Sequence, residues 1–306
     1  MFNDVIVHDV GMRDGLQMEG RFIPIEHKID LIIFLLAAGI DIIQVGSFVN
    51  PKTVPQMKDT DELFDLLKNS EIANRKTKLS ALVLNEKGLE RGLNSHADLI
   101  CMGVSASETH SMKNTGMTTD EALSRIIPMA TSVVQAGRKV QVSIQSAFGC
   151  GFEGKISEDK VFSIVEKYLA VGLKNISLAD TSGHANPLQV DRMFTRIFEM
   201  SKDAEPACHF HNTYGMGLTN IYAAINTGVK YIETAFGGLG GCPFTKSPSG
   251  NVATEDFVHM LHQMNLRLDI NIDRIIDASK NLSLLLEREL PGHVYKTGIL
   301  NNQENI

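Results

Sequence analysis

Short apolar runs alternate with longer amphipathic stretches along the whole chain. Residues 5–10 form an apolar, β-branched run that ends at Gly11, which predicts a buried strand. Over residues 25–38 the apolar positions recur at helical spacing, and Gly39 supplies a natural stop. Further strands are predicted at 40–45, 78–84, 99–104, 139–144, 175–178, 207–210 and 231–234. The seventh is expected to begin just after Pro206. Helical patterns follow at 61–68, from 86, at 118–136, at 157–171, from 187, at 216–226 and at 254–264. Thr118 and Glu121 have capping-box spacing, and Ser157 is expected to cap the helix after it. The polar stretch after strand four reads as a loop.

Eight strands, each followed by a helical pattern, imply a parallel sheet with right-handed crossovers. Eight such units in roughly 250 residues fit an α/β fold of the (β/α)₈ TIM-barrel type. An open doubly wound sheet would normally carry Gly-x-Gly-x-x-Gly after its first strand, where this chain has Gly11-Met-Arg-Asp-Gly15. The barrel is expected over residues 1–270. A C-terminal helix at 272–286 and an irregular tail would pack on it within a single domain.

Composition narrows the function. The net charge of −7 argues against a nucleic-acid surface. No apolar run is long enough to span a bilayer, and Met1-Phe-Asn-Asp4 lacks the basic and apolar segments of a leader. Cys101, Cys150, Cys208 and Cys242 are widely spaced with no Cys-x-x-Cys, so reduced thiols and a cytoplasmic location are expected.

The candidate chemistry gathers at the C-terminal strand ends, where barrels place their active sites. On a strand His209 and His211 point the same way, and Cys208 and Phe210 the other. Taken alone, a His-x-His pair is better read as two histidines that merely share a face, and the case for a metal comes from the rest of the chain. Asp14 after strand one, Gln44 near the end of strand two, Asp180 after strand six and Asn251 after strand eight would converge on the same mouth. Within it, an Asp, two His and an Asn carbonyl make a mixed oxygen and nitrogen set that suits Mg²⁺ or Mn²⁺, with Zn²⁺ or Co²⁺ as further candidates. Cys242 follows four glycines in the five residues 237–241, a sequence suited to a closing lid.

Four stretches resemble 3-hydroxy-3-methylglutaryl-CoA lyase and its relatives among the DRE-TIM metallolyases. They are Arg13-Asp-Gly-Leu-Gln17, Ser47-Phe-Val-Asn-Pro-Lys-Thr-Val-Pro-Gln-Met57, His209-Phe-His-Asn-Thr-Tyr-Gly215, and Gly237-Gly-Leu-Gly-Gly-Cys-Pro243 running on to Ser249-Gly-Asn-Val-Ala-Thr-Glu-Asp256. Ile176-Ser-Leu-Ala-Asp-Thr181 matches as well. The resemblance implies that Asp14, His209, His211 and Asn251 bind a divalent cation. It implies that Arg13 neutralises the enolate and that Cys242 moves a proton. Asp180 and Gln44 are expected to join the catalytic group, and Gln17 and Ser47 to meet substrate. The activity implied is cleavage of the C2–C3 bond of a 3-hydroxyacyl-CoA, such as 3-hydroxy-3-methylglutaryl-CoA, to acetyl-CoA and acetoacetate. A homodimer is the expected assembly.

The chain departs from that pattern at three places. Gln44 stands where the family usually has glutamate, Gly20 precedes Arg21 where a basic residue is usual, and Asn212 follows His211 where the lyases have aspartate. These differences point to a relative acting on a different 3-hydroxyacyl-CoA as one alternative. A carboligating synthase or pyruvate-releasing aldolase of the same superfamily is another. Those synthases read Leu-Arg-Asp-Gly-Glu after strand one, whereas this chain reads Met12-Arg-Asp-Gly-Leu16. A non-catalytic barrel with a relic metal site would have no reason to keep Arg13 and Cys242.

Overall fold

The structure, a computed structural model, describes residues 4–69, 76–241 and 250–300. Eight parallel strands close into a barrel in chain order: β1 (Ile6–Asp9), β2 (Ile42–Ser47), β3 (Lys78–Leu82), β4 (Leu99–Ser105), β5 (Lys139–Gln145), β6 (Asn175–Asp180), β7 (Glu205–Phe210) and β8 (Tyr231–Thr234). The helices are α1 (Ile25–Ala38), α2 (Thr60–Asn69), α3 (Glu86–Asn94), α4 (Glu108–Thr115), α5 (Thr119–Gln135), α6 (Glu158–Ala170), α7 (Pro187–Met200), α8 (Gly217–Thr227), α9 (Thr254–Gln263), α10 (Ile272–Leu286) and α11 (Val294–Thr297). Among the described residues no helix is long and apolar enough to cross a membrane.

Strand alternation divides the barrel into two environments. Residues such as Val7, Ile43, Met102, Leu178, Phe210 and Ile232 face outward and pack under the helices in one continuous apolar core. Inward-facing Ile42, Leu99 and Cys101, with Ile6, Leu82 and Tyr231 against them, form a small apolar cluster inside the barrel, and Leu82 also lines the cavity above it. Above this cluster the interior turns polar, with His8, Gln44, Ser80, Ser177, His209 and Glu233 all buried. Buried polar groups need partners, so this layer already marks where function sits.

The observed elements differ from the expected ones in a few places. β7 begins at Glu205 and includes Pro206, which stands opposite Ile176 in the ladder. Ser157 precedes α6 without making a side-chain capping bond, whereas Thr118 and Glu121 form the full capping box on α5. The polar stretch after β4 contains α4. Its composition hides it, but Ser107 Oγ accepts from the His110 amide and Gly116 ends it in the left-handed conformation.

Candidate active site

Residues 11–15 after β1 form a single π-turn, in which the Asp14 amide donates to Val10 O at 2.7 Å and the Gly15 amide reaches the same oxygen at 3.4 Å. Such turns occur often at functional sites. Both glycines are there for close approach: a Cβ on Gly11 would lie 2.5 Å from the Phe236 ring, and one on Gly15 2.7 Å from Leu239 Cβ. The turn presents Arg13 and Asp14 side by side, with Arg13 Nη1 2.6 Å from Asp14 Oδ1. Arg13 Nε also donates to Gln44 Oε1 on β2, and Gln17 Nε2 donates to Asp14 Oδ1 at 3.2 Å.

His209 ends one face of β7 and His211 lies just past the strand, their rings 5.3 Å apart between centroids. His211 is bridged through its backbone to Asn251, which fixes the loop after β8 beside the end of β7. Asn251 Nδ2 donates to Asp14 Oδ2 at 2.9 Å and to Leu239 O at 2.8 Å. Asp14, His209 and His211 offer ligand atoms that all lie within 4.8 Å of one another. Asn251 Oδ1 and His211 Nδ1 are buried with no hydrogen-bond partner among the described residues. Buried acceptors left open beside a carboxylate and two imidazoles are what a divalent cation would satisfy. The donor set therefore fits the metal expected from the sequence.

Charge at the cluster follows from the same contacts. Burial alone would raise the Asp14 carboxyl, but Arg13, His209, His211 and the Asn251 hydrogen bond outweigh it and hold the group well below the usual carboxylate range. Burial lowers His211 to about 4, with the neighbouring His209 charge acting the same way, so it is a neutral imidazole at physiological pH. His209 goes the other way: Glu233 outweighs the burial and raises it.

The cluster opens into a cavity of about 270 Å³ at the barrel mouth. Arg13, Asp14, Gln17, His209, His211 and Gly241 are among its lining residues. Val49, Val54 and Leu82 make one wall, and His110, Asn114 and Gln145 another.

Not every residue expected at the site reaches the cavity. Asp180 is fully buried and faces away, accepting from the backbone amides of His184 at 2.7 Å and Ala185 at 3.1 Å. Its inward neighbours Ala179 and Thr181 line the cavity instead. Ser47 is also turned aside, its hydroxyl donating to Leu82 O at 3.2 Å. Cys242 lies outside the described residues. The preceding part of that loop is anchored: Leu239 is buried and its carbonyl accepts from the Asn251 backbone at 3.1 Å. Cys101, Cys150 and Cys208 are free and buried.

The sequence reading missed Glu233. Its Oε2 lies 2.9 Å from His209 Nδ1, and its side chain lines the cavity floor. A charged residue inside a four-residue buried strand was the available signal. Asp9, like Asp180, holds backbone, accepting from the amides of Gly11 at 2.8 Å and Phe236 at 2.9 Å and from Thr254 Oγ1 at 2.6 Å.

Comparison with known proteins identifies the family. A family model described as HMGL-like matches residues 4–282. Hydroxymethylglutaryl-CoA lyase YngG of Bacillus subtilis is 34% identical over 287 residues, covering 94% of this chain and 95% of that protein. The (R)-citramalyl-CoA lyase of Chloroflexus aurantiacus is 36% identical over 300 residues, covering 96% and 95%. Among solved structures, an HMG-CoA lyase from Acinetobacter baumannii in complex with coenzyme A and 3-methylmalate superposes with a TM-score of 0.90 at 38% identity, covering 100% of this chain and 99% of that one. With its closed barrel and its Asp14, His209 and His211 cluster, the chain belongs to the HMGL-like family and is a carbon–carbon lyase.

Proposed function

We propose that the chain cleaves the C2–C3 bond of 3-hydroxy-3-methylglutaryl-CoA or a close analogue, releasing acetyl-CoA and a ketone-bearing acid. The observation that supports this reading is that Asp14, His209 and His211 offer clustered ligand atoms beside Arg13 in one cavity, with Asn251 hydrogen-bonded to Asp14. Those four residues would hold a divalent cation, which supplies Lewis acidity toward the hydroxyl and carbonyl oxygens of the acyl group.

The reaction is proton-neutral overall: the 3-hydroxyl gives up its proton to a base at the site as C3–O becomes a carbonyl, the C2–C3 electrons pass to the enolate of acetyl-CoA, and C2 takes up one proton. Arg13 is the fixed cation for that enolate oxygen, since a guanidinium stays charged at any working pH. Bonds to Gln44 and Asp14 hold its planar group in place before substrate arrives, so orientation costs little at the moment of reaction. Cys242 is proposed to deliver the proton that converts C2 to a methyl group. The cavity walls formed by Val49, Val54 and Leu82 would keep water from the enolate.

A second reading rests on Gln44. A glutamate at that position would repel a carboxylate attached directly to C3, whereas a neutral amide tolerates one. The best substrate would then be a citramalyl-CoA-type ester, one methylene shorter than 3-hydroxy-3-methylglutaryl-CoA, and the ketone product would be pyruvate. Release of acetyl-CoA from the two esters, measured side by side in a coupled assay, tests both readings. Turnover of neither would remove the lyase proposal, and the ratio of the two kcat/KM values selects the substrate.

A further inference from the structure

Beside His209 of the candidate metal cluster, the barrel interior holds a carboxylate between two histidines. In the strand register Glu233 of β8 stands opposite His8 of β1 on one side and His209 of β7 on the other. Inward-facing residues at matched register on adjacent strands are neighbours in the barrel interior. His209 Nδ1 lies 2.9 Å from Glu233 Oε2, and His8 Nε2 lies 2.8 Å from Ser80 Oγ on β3. Glu233 Oε1 and His8 Nδ1 are both buried without a hydrogen bond of standard geometry. His209 then has only Nε2 left for the cluster, and that atom lies 3.9 Å from Asp14 Oδ2.

We propose that Glu233 is the positioning residue of the metal centre. Its carboxylate holds the His209 proton on Nδ1, turns Nε2 toward Asp14 and His211, and supplies the second negative charge that Gln44, an amide, cannot carry. Asp14 and Glu233 are the two carboxylates among the described residues that line the cavity. A cation held by Asp14 alone would leave the site with surplus positive charge beside Arg13. Glu233 offsets that charge without occupying a coordination position, and so leaves space for substrate oxygens. Carboxylates behind metal-bound imidazoles orient the ring and raise its basicity. His8 has a supporting part: bonded to Ser80, it closes the other side of the Glu233 carboxylate and keeps water from it.

This inference rests on the proposed metal site, and the experiment separates the two. Mn²⁺ affinity is measured by electron paramagnetic resonance for wild type, Glu233→Gln, Glu233→Asp and His209→Ala. Glu233→Gln keeps size and should weaken Mn²⁺ binding about 10- to 100-fold. Glu233→Asp retains the charge and should recover part of the loss, which a purely space-filling role would not produce. Glu233→Gln binding Mn²⁺ within two-fold of wild type overturns the proposal while leaving the metal site standing. No Mn²⁺ binding by wild type overturns both. Should the variants fail to fold, the wild type still decides. In Zn²⁺-loaded protein with ¹⁵N-labelled histidine, His209 Nδ1 should carry a directly bonded proton. A proton-free Nδ1 overturns the assignment.

Discussion

Gln44 Oε1 accepts a hydrogen bond from Arg13 Nε, so the guanidinium proposed to meet the enolate leans on a neutral amide. Gln44→Glu would place a formal charge against Arg13 and against any carboxylate on substrate C3. The expected outcome is a shift of at least ten-fold in kcat/KM toward 3-hydroxy-3-methylglutaryl-CoA relative to citramalyl-CoA, equivalent to about 1.4 kcal/mol in transition-state preference. An unchanged ratio would remove Gln44 as a selector and leave it as a hydrogen-bonding prop for Arg13.

Replacing either imidazole of the cluster should remove the metal. His209→Ala and His211→Ala are each expected to lose most of their bound divalent cation on dialysis and nearly all turnover, with the fold retained. Elemental analysis beside a circular-dichroism melt checks this. Full turnover by rigorously chelated wild-type protein would contradict the metal-dependent mechanism.

Cys242 can be tested by selective chemistry. The three described cysteines are at most 5% exposed, so a small alkylating reagent applied to native protein should report mainly on position 242. Alkylation is expected to abolish turnover, and Cys242→Ser to lower kcat far more than it changes KM. A modified protein of full activity would end the proton-transfer assignment.

Stability should vary with pH through Glu255. Burial pushes this carboxyl up to about 8, opposed by the Gly237 amide bonded to Oε2 at 2.9 Å. The folded state therefore binds the proton more tightly than the unfolded chain. Its contribution is fully present below the unfolded pKa near 4.5 and is lost as pH rises through about 8. The loss is on the order of 5 kcal/mol as an upper bound. Melting temperature should fall between pH 5 and pH 9 (roughly the two sides of that window) more steeply for wild type than for Glu255→Gln. Parallel curves would show that Glu255 is not the titrating group.

Sequence by itself determined the barrel, because βα alternation is a local signal. Each strand and each helix is written in the period of its own apolar residues, and connection rules leave few ways to assemble eight such units. It also singled out the candidate metal residues, of which Asp14, His209 and His211 offer clustered ligand atoms in the structure. His209 and His211 share a strand face by parity, and Asp14 and Asn251 belong to loops that the fold must bring to the same mouth.

Tertiary structure alone decided which polar side chains enter the cavity. Asp180 and Ser47 sit at strand ends among expected site residues, yet strand direction turns both toward backbone partners. Glu233 is the converse case. A charge inside a short buried strand was visible in the sequence, but its proposed role depends on the register that sets it opposite His8 and His209. Register arises from pairing between distant segments and from closure of the whole barrel, neither of which leaves a mark in the local pattern. α4 was hidden for a related reason: a short polar helix has no apolar period to reveal it, and here its fixed position comes from its cap and from packing on β4 and α5.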